Sequence, residues 1–199
     1  QENMKYWLEA IMPICDEYDI NMCVHPDDPP YPVFGLPRII GRAEDIQWML
    51  DAVPNKHNGL TFCAGSFSAG EHNDCVAMAK QFADRTHFVH LRSCYIFPNG
   101  NFTEASHLGG RGHLIELCRI FEKAEQEGKC NSGRRLPMRG DHGMTFTDEP
   151  GGVFAESNHG HNAGYTLLGR MFAMGQIQGV IATVDDELGI EYKQPGFYD

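Results

Sequence analysis

The sequence predicts an α/β protein of parallel βα units, a (β/α) barrel in type. Three observations lead there. Short apolar segments alternate with segments of helical period along the 199 residues. The strand-like segments are almost continuously apolar, as parallel strands are when both faces of a sheet are covered. Polar, chemically capable side chains recur where these strands end, and barrel enzymes build their sites at that mouth.

The chain opens as a helix, with Trp7, Leu8, Ile11, Cys15 and Tyr18 near one face and Pro13 as an expected kink. INMCVH (20–25) reads as a strand, and RAEDIQWMLDAV (42–53) as a helix turning Ile46, Met49, Leu50 and Val53 inward. LTFC (60–63) is the next strand, followed by a helix from an Asn73 N-cap through Phe82. THFVHL (86–91) is a strand, and 113–128 a helix closed by Gly128 and Lys129. RLPMRGD (135–141) is a strand, 163–175 a helix, and GVIATV (179–184) a last strand. That makes five strands, which a doubly wound sheet would accept and a closed barrel, with eight, would not. No GxGxxG follows a strand and no GxxxxGK[ST] occurs, so the nucleotide-binding folds lack their marker. The placement of the polar residues favours the barrel.

Residues 1–199 read as a single domain. With no initiator Met and a helix already under way, they are expected to be part of something longer. The composition, 42% hydrophobic and 22% charged, is that of a soluble globular protein. No run has the length expected of a membrane span, and the first residues are not a signal peptide. Sixteen basic against 27 acidic residues, net −11, argue against nucleic acid and anionic membrane as partners. They leave an anionic small molecule open, since a site can be locally positive. Seven cysteines without a CxxC pair suit a reducing, cytoplasmic setting.

The residues at successive strand ends are His25, Cys63, His90 with Arg92, and Asp141 with His142. Each interval accommodates one βα unit and a loop. Each residue has an ordinary explanation: a hydrogen-bonded histidine, a small buried thiol, an Asx-turn. All would have to hold at four consecutive strand ends. Two imidazoles, a thiolate and a carboxylate form a complete ligand set for a divalent transition metal, which is the better reading. His57, His72, His87, His107, His113, His159 and His161 read by default as loop or structural histidines, and Tyr165 lies at the mouth end of its helix. The segments 92–112 and 143–162, long and rich in Gly and polar residues, are expected to form a lid.

The stretches HPDDPPYPVFGLPRI (25–39), FCAGS (62–66), HFVHLR (87–92), LPMRGDHG (136–143) and GYTLLGR (164–170) resemble the mannonate dehydratase family. Gly140 departs from it, standing where a Pro is common. The resemblance implies a TIM barrel similar to the xylose-isomerase-like barrels, of which this chain would hold about the last five βα units. It implies a cytoplasmic, metal-dependent lyase of glucuronate catabolism, taking water from D-mannonate to give 2-dehydro-3-deoxy-D-gluconate. A homo-oligomer is expected at full length.

The same resemblance places His25, Cys63, His90 and Asp141 on the metal. His142 and Tyr165, with Asp141, become the acid–base candidates, acid and base unassigned between the first two. Arg92 or Arg139 would pair with the substrate carboxylate, and Asp27 and Asp28 would contact ligands or substrate hydroxyls. Prolines 26, 29, 30, 32 and 37 would stiffen the loop they occupy. Thiolate softness favours Zn(II) or Fe(II), whereas the family is associated with Fe(II) and Mn(II). The expectation is Mn2+ or Fe2+, with Zn(II) as an inhibitory occupant. A sugar isomerase or epimerase of the same barrel type and a non-catalytic metal-binding fragment are the alternatives.

Overall fold

The computed structural model of the chain describes residues 1–146 and 164–191. The elements run α1 (Glu2–Tyr18), β1 (Met22–Val24), α2 (Ala43–Ala52), β2 (Asn58–Cys63), α3 (Ala64–Ser68) and α4 (Cys75–Phe82). They continue with β3 (Thr86–Leu91), β4 (Cys94–Ile96), β5 (Phe102–Glu104), α5 (Leu114–Gln126), β6 (Met138–Gly140) and α6 (Leu167–Leu188). Four strands form one parallel sheet in the order β1-β2-β3-β6, each reached through a helical crossover. This is the α/β architecture the alternation predicts. Among the described residues the sheet does not close on itself.

β2 is buried along its whole length, which explains its continuous apolar reading. Phe62 on β2 sits 5.2 Å from the rings of both Phe67 on α3 and Phe121 on α5, so one aromatic cluster joins the sheet to the helices beside it. α5 buries Leu114, Leu117, Cys118, Phe121 and Ala124, the i, i+3, i+4, i+7 stripe of a sheet-covering helix. All seven cysteines are free, and six of them are buried.

Four expectations need correction. GVIATV (179–184) is not a strand but the C-terminal half of α6. Its β-branched residues favour a strand locally, yet no turn separates them from the helix before, and Thr183 Oγ1 bonds back to the Gly179 carbonyl at 2.9 Å. α6 is 22 residues long and holds an 18-residue window of mean hydropathy 1.2, so by length and composition it is long and apolar enough to cross a membrane, contrary to the sequence reading; here it packs beside α5 and β6. The N-cap of α4 is Asp74, whose Oδ1 accepts from the amides of Val76 and Ala77 at 3.0 Å. Asn73 is turned inward and donates to the carbonyls of Gly41 and Phe67. Finally, 92–112 is no bare loop: β4 and β5 pair there as an antiparallel hairpin, Cys94 opposite Glu104. Most of the second lid segment, with His159 and His161, lies outside the described residues.

Where α5 meets α6, burial, then Asp185 and Glu125, push the Glu122 carboxyl from its ordinary 4.5 up to about 7. A folded-state value above the unfolded one means a contribution fully present below about 4.5 and lost as pH rises through about 7. Glu122→Gln should therefore gain about 1–2 kcal/mol on the wild type between pH 5 and pH 8 in denaturant unfolding, after allowance for solvent screening. An offset equal at both pH values would refute this.

Candidate metal centre

The pairing register does the first part of the construction. Cys63, the last residue of β2, is the partner of His90 on β3, and His90 is the partner of Arg139 on β6. One row across the C-terminal ends of three strands thus carries a thiol, an imidazole and a guanidinium. His25 follows β1 directly, and Asp141 follows β6, where its amide donates to the Leu91 carbonyl at 3.0 Å.

His25, Cys63 and His90 each bring one donor atom to a point, all three within 4.8 Å of one another. His25 Nε2 and His90 Nδ1 are 3.2 Å apart. Two nitrogens each about 2.0–2.1 Å from one ion would sit at such a separation. The other nitrogen of His25, Nδ1, lies 2.7 Å from the Pro26 carbonyl. That contact requires the proton on Nδ1 and leaves the Nε2 lone pair facing His90. Asp141 Oδ2 completes the group, 3.7 Å from His90 Nδ1 and 4.0 Å from Cys63 Sγ. The donor chemistry and its convergence fit a divalent transition metal.

Asp141 is the electrostatic hub. Its Oδ1 accepts from the Tyr165 hydroxyl at 2.8 Å and from Arg139 at 3.1 Å, while its backbone carbonyl accepts from Arg170 at 2.8 Å. Burial pushes the carboxyl up, but the Tyr165 bond and the charges of His142, His90 and Arg139 outweigh it and hold Asp141 below the ordinary value. The same environment raises Tyr165: burial first, then the bond to Asp141 and its charge. Tyr165 therefore keeps its proton at neutral pH. The His142 ring packs against it at 4.7 Å, and His142 Nε2 is 3.9 Å from Asp141 Oδ2.

Arg92 and Asp28, placed at the substrate by the sequence reading, are engaged with each other. Arg92 is buried, donates to Asp28 Oδ2 at 2.5 Å, and grips the Glu104 carboxylate with Nε and one terminal nitrogen at 2.7–3.1 Å. Gly65 makes room for this: a Cβ there would lie 2.1–2.7 Å from the Arg92 stem. Arg139, by contrast, is 42% exposed beside Asp141. Asp27 staples its own loop, its Oδ2 accepting from the amides of Ile39 and Ile40 at 2.8 Å.

Two residues escape the sequence reading. Ser66, one helical turn beyond Cys63, donates its hydroxyl to the sulfur at 3.2 Å, and that i+3 spacing was a usable signal. Glu104 sits 3.3 Å from His142 Nδ1 with nothing in its spacing to mark it. Of the other histidines, His57 bonds Asn21, His72 approaches the Gly41 carbonyl and His107 that of Leu91, all structural roles.

Comparison with known proteins follows the same lines. The family pattern for D-mannonate dehydratase (UxuA) matches residues 1–190. Mannonate dehydratase 2 of Agrobacterium fabrum is 38% identical over 190 residues, covering 94% of this chain and 46% of the relative. The mannonate dehydratase of Saccharophagus degradans is 38% identical over 187 residues, with 93% and 46% covered. The crystal structure of mannonate dehydratase from Streptococcus suis serotype 2 matches the whole chain and 53% of its own, at TM-score 0.81 and 26% identity. The chain spans about half the length of these relatives.

Replacing Cys63 by Ser should remove most of the divalent metal retained after dialysis, read by elemental analysis. Ser66→Ala, which leaves the sulfur without its donor, should weaken binding about 10-fold. Binding should also weaken toward acid pH, because imidazoles and thiol must lose protons to ligate. Undiminished metal in Cys63→Ser would remove that residue from the donor set.

Proposed function

The chain belongs to the D-mannonate dehydratase family, and from that premise we propose that it carries the metal centre of a hydro-lyase converting D-mannonate to 2-dehydro-3-deoxy-D-gluconate. The observation supporting this is the convergence of His25, Cys63 and His90 donor atoms at adjacent parallel strand ends, with Asp141 beside them. These four residues are the proposed ligands, and Mn2+ or Fe2+ the proposed ion. Residues 1–199 are read as one domain, its parallel strands as units of a TIM barrel. Seven free cysteines support a cytoplasmic setting. The exposed apolar side chains Leu167, Leu168 and Met171 of α6 support a homo-oligomer.

The difficult step is removal of a proton beside a carboxylate. A bound divalent cation supplies Lewis-acid stabilisation of the charge that develops there. The protein groups divide the proton work by their environments. Tyr165 holds its proton at the hydroxyl and is suited to give it to the departing C3 hydroxyl, which leaves as water. His142, with Nδ1 turned to Glu104, directs Nε2 toward the centre and is suited to take the C2 proton. Arg139, half in solvent beside Asp141, is the better partner for the substrate carboxylate, since Arg92 is already held between two carboxylates.

The test is formation of a 3-deoxy-2-keto acid from D-mannonate, read by periodate–thiobarbiturate colour, for the chain joined to the remaining half of a curated relative. Product is expected with Mn(II) or Fe(II) and should disappear with chelator. Tyr165→Phe should lower kcat about 10²- to 10⁴-fold while metal content is unchanged. Absence of product from the metal-loaded protein, or turnover that survives chelation, would overturn the reading; rearrangement without loss of water would replace it by an isomerase.

A further inference from the structure

The hairpin β4–β5 reaches back to the sheet with one carboxylate. Glu104, its last paired residue, is only 17% exposed at the side chain and touches two groups. Arg92 fixes it from one side, bonding both carboxylate oxygens. On the other side Oε1 stands 3.3 Å from His142 Nδ1. Arg92 is itself tied to Asp28 of the proline-rich loop, so the carboxylate cannot drift without moving a buried guanidinium. Burial pushes Glu104 up, but the His142 and Arg92 bonds and charges hold it below its ordinary value, so it is an anion facing a ring nitrogen.

A fixed anion opposite one imidazole nitrogen selects which nitrogen carries the proton, because only a protonated nitrogen can donate to it. We propose that Glu104 is a positioning residue, which holds the neutral His142 ring as its Nδ1–H form and so presents a bare Nε2 to the centre 3.9 Å from Asp141 Oδ2. Arg92 acts one step further out, anchoring Glu104 rather than meeting substrate. This inference rests on the role given to His142 above, and it adds the hairpin as the element that delivers the orienting group. Without Glu104 the ring is free to adopt the opposite tautomer, whose Nε2 carries hydrogen and cannot accept a proton.

The experiment has two arms. In the metal-free 199-residue chain labelled with 15N-histidine, His142 is assigned from its absence in His142→Gln and read at pH 8. The wild-type ring is expected as the Nδ1–H form; Glu104→Gln should abolish that preference and Glu104→Asp should keep it in part. In the dehydratase assay, Glu104→Gln should lower kcat about 10- to 100-fold with KM within about 3-fold and metal content unchanged, and Glu104→Asp should recover part of the loss. A wild-type ring in the Nε2–H form overturns the inference even if no variant folds. So does an unaltered tautomer in Glu104→Gln, or a raised KM with unchanged kcat. If wild type makes no product, the proposed function fails, while the tautomer arm still decides this inference.

Discussion

The pairing of β2 with β3 is the constraint on which the centre rests. Parallel register sets Cys63 opposite His90, and the next pairing sets His90 opposite Arg139. A strand slipped by one residue would turn each of these side chains to the other face of the sheet. The register is in turn held by the buried faces on either side, where Leu60, Phe62, Val89 and Leu91 are fully enclosed. Core packing and donor placement are therefore one problem solved once. The donors need no loop to bring them together, only strands that end at the same level.

Around that row, charge is arranged in pairs that offset desolvation. Asp141 is buried yet ionised because Tyr165, Arg139 and two imidazoles face it. Arg92 is buried yet tolerated because Asp28 and Glu104 flank it. Deleting one member of such a set leaves a charge in a poorly solvating place, costing about 3–5 kcal/mol in buried pairs generally. The arrangement joins three segments far apart in sequence: the proline-rich loop after β1, the end of β3, and the hairpin. Rigid placement of the His142 ring beside the His25, Cys63 and His90 cluster follows from that bracing.

Much of the centre was legible because strand ends are legible. His25, Cys63, His90 and Asp141 each stand at or just past the end of a parallel strand, and a parallel sheet gathers such positions whatever the loops between them do. What escaped depended on contacts between distant segments. Glu104 lies in a Gly-rich stretch whose pairing with 94–96 leaves no period to read over three residues. Asn73 and Asp74 are both good caps by type, and only the demand of the Gly41 and Phe67 carbonyls sends Asn73 inward. GVIATV shows the opposite failure, local β preference overridden because the helix before it runs on through Gly175 and Gly179, which do not break it. Arg92, which with Arg139 was expected from the resemblance to meet the substrate carboxylate, is buried and held between Asp28 and Glu104, contacts that no local pattern displays.

The buried cysteines have a consequence for how the protein meets oxidants. Burial pushes the thiols of Cys75, Cys94 and Cys118 up to about 12 and that of Cys130 up to about 11. At neutral pH these four sulfurs are protonated in nearly every molecule, and the thiolate is the species that peroxides and alkylating reagents attack. Toward such reagents the protein behaves as though it had fewer cysteines than its sequence spells, and Cys23 is the one cysteine that is not buried.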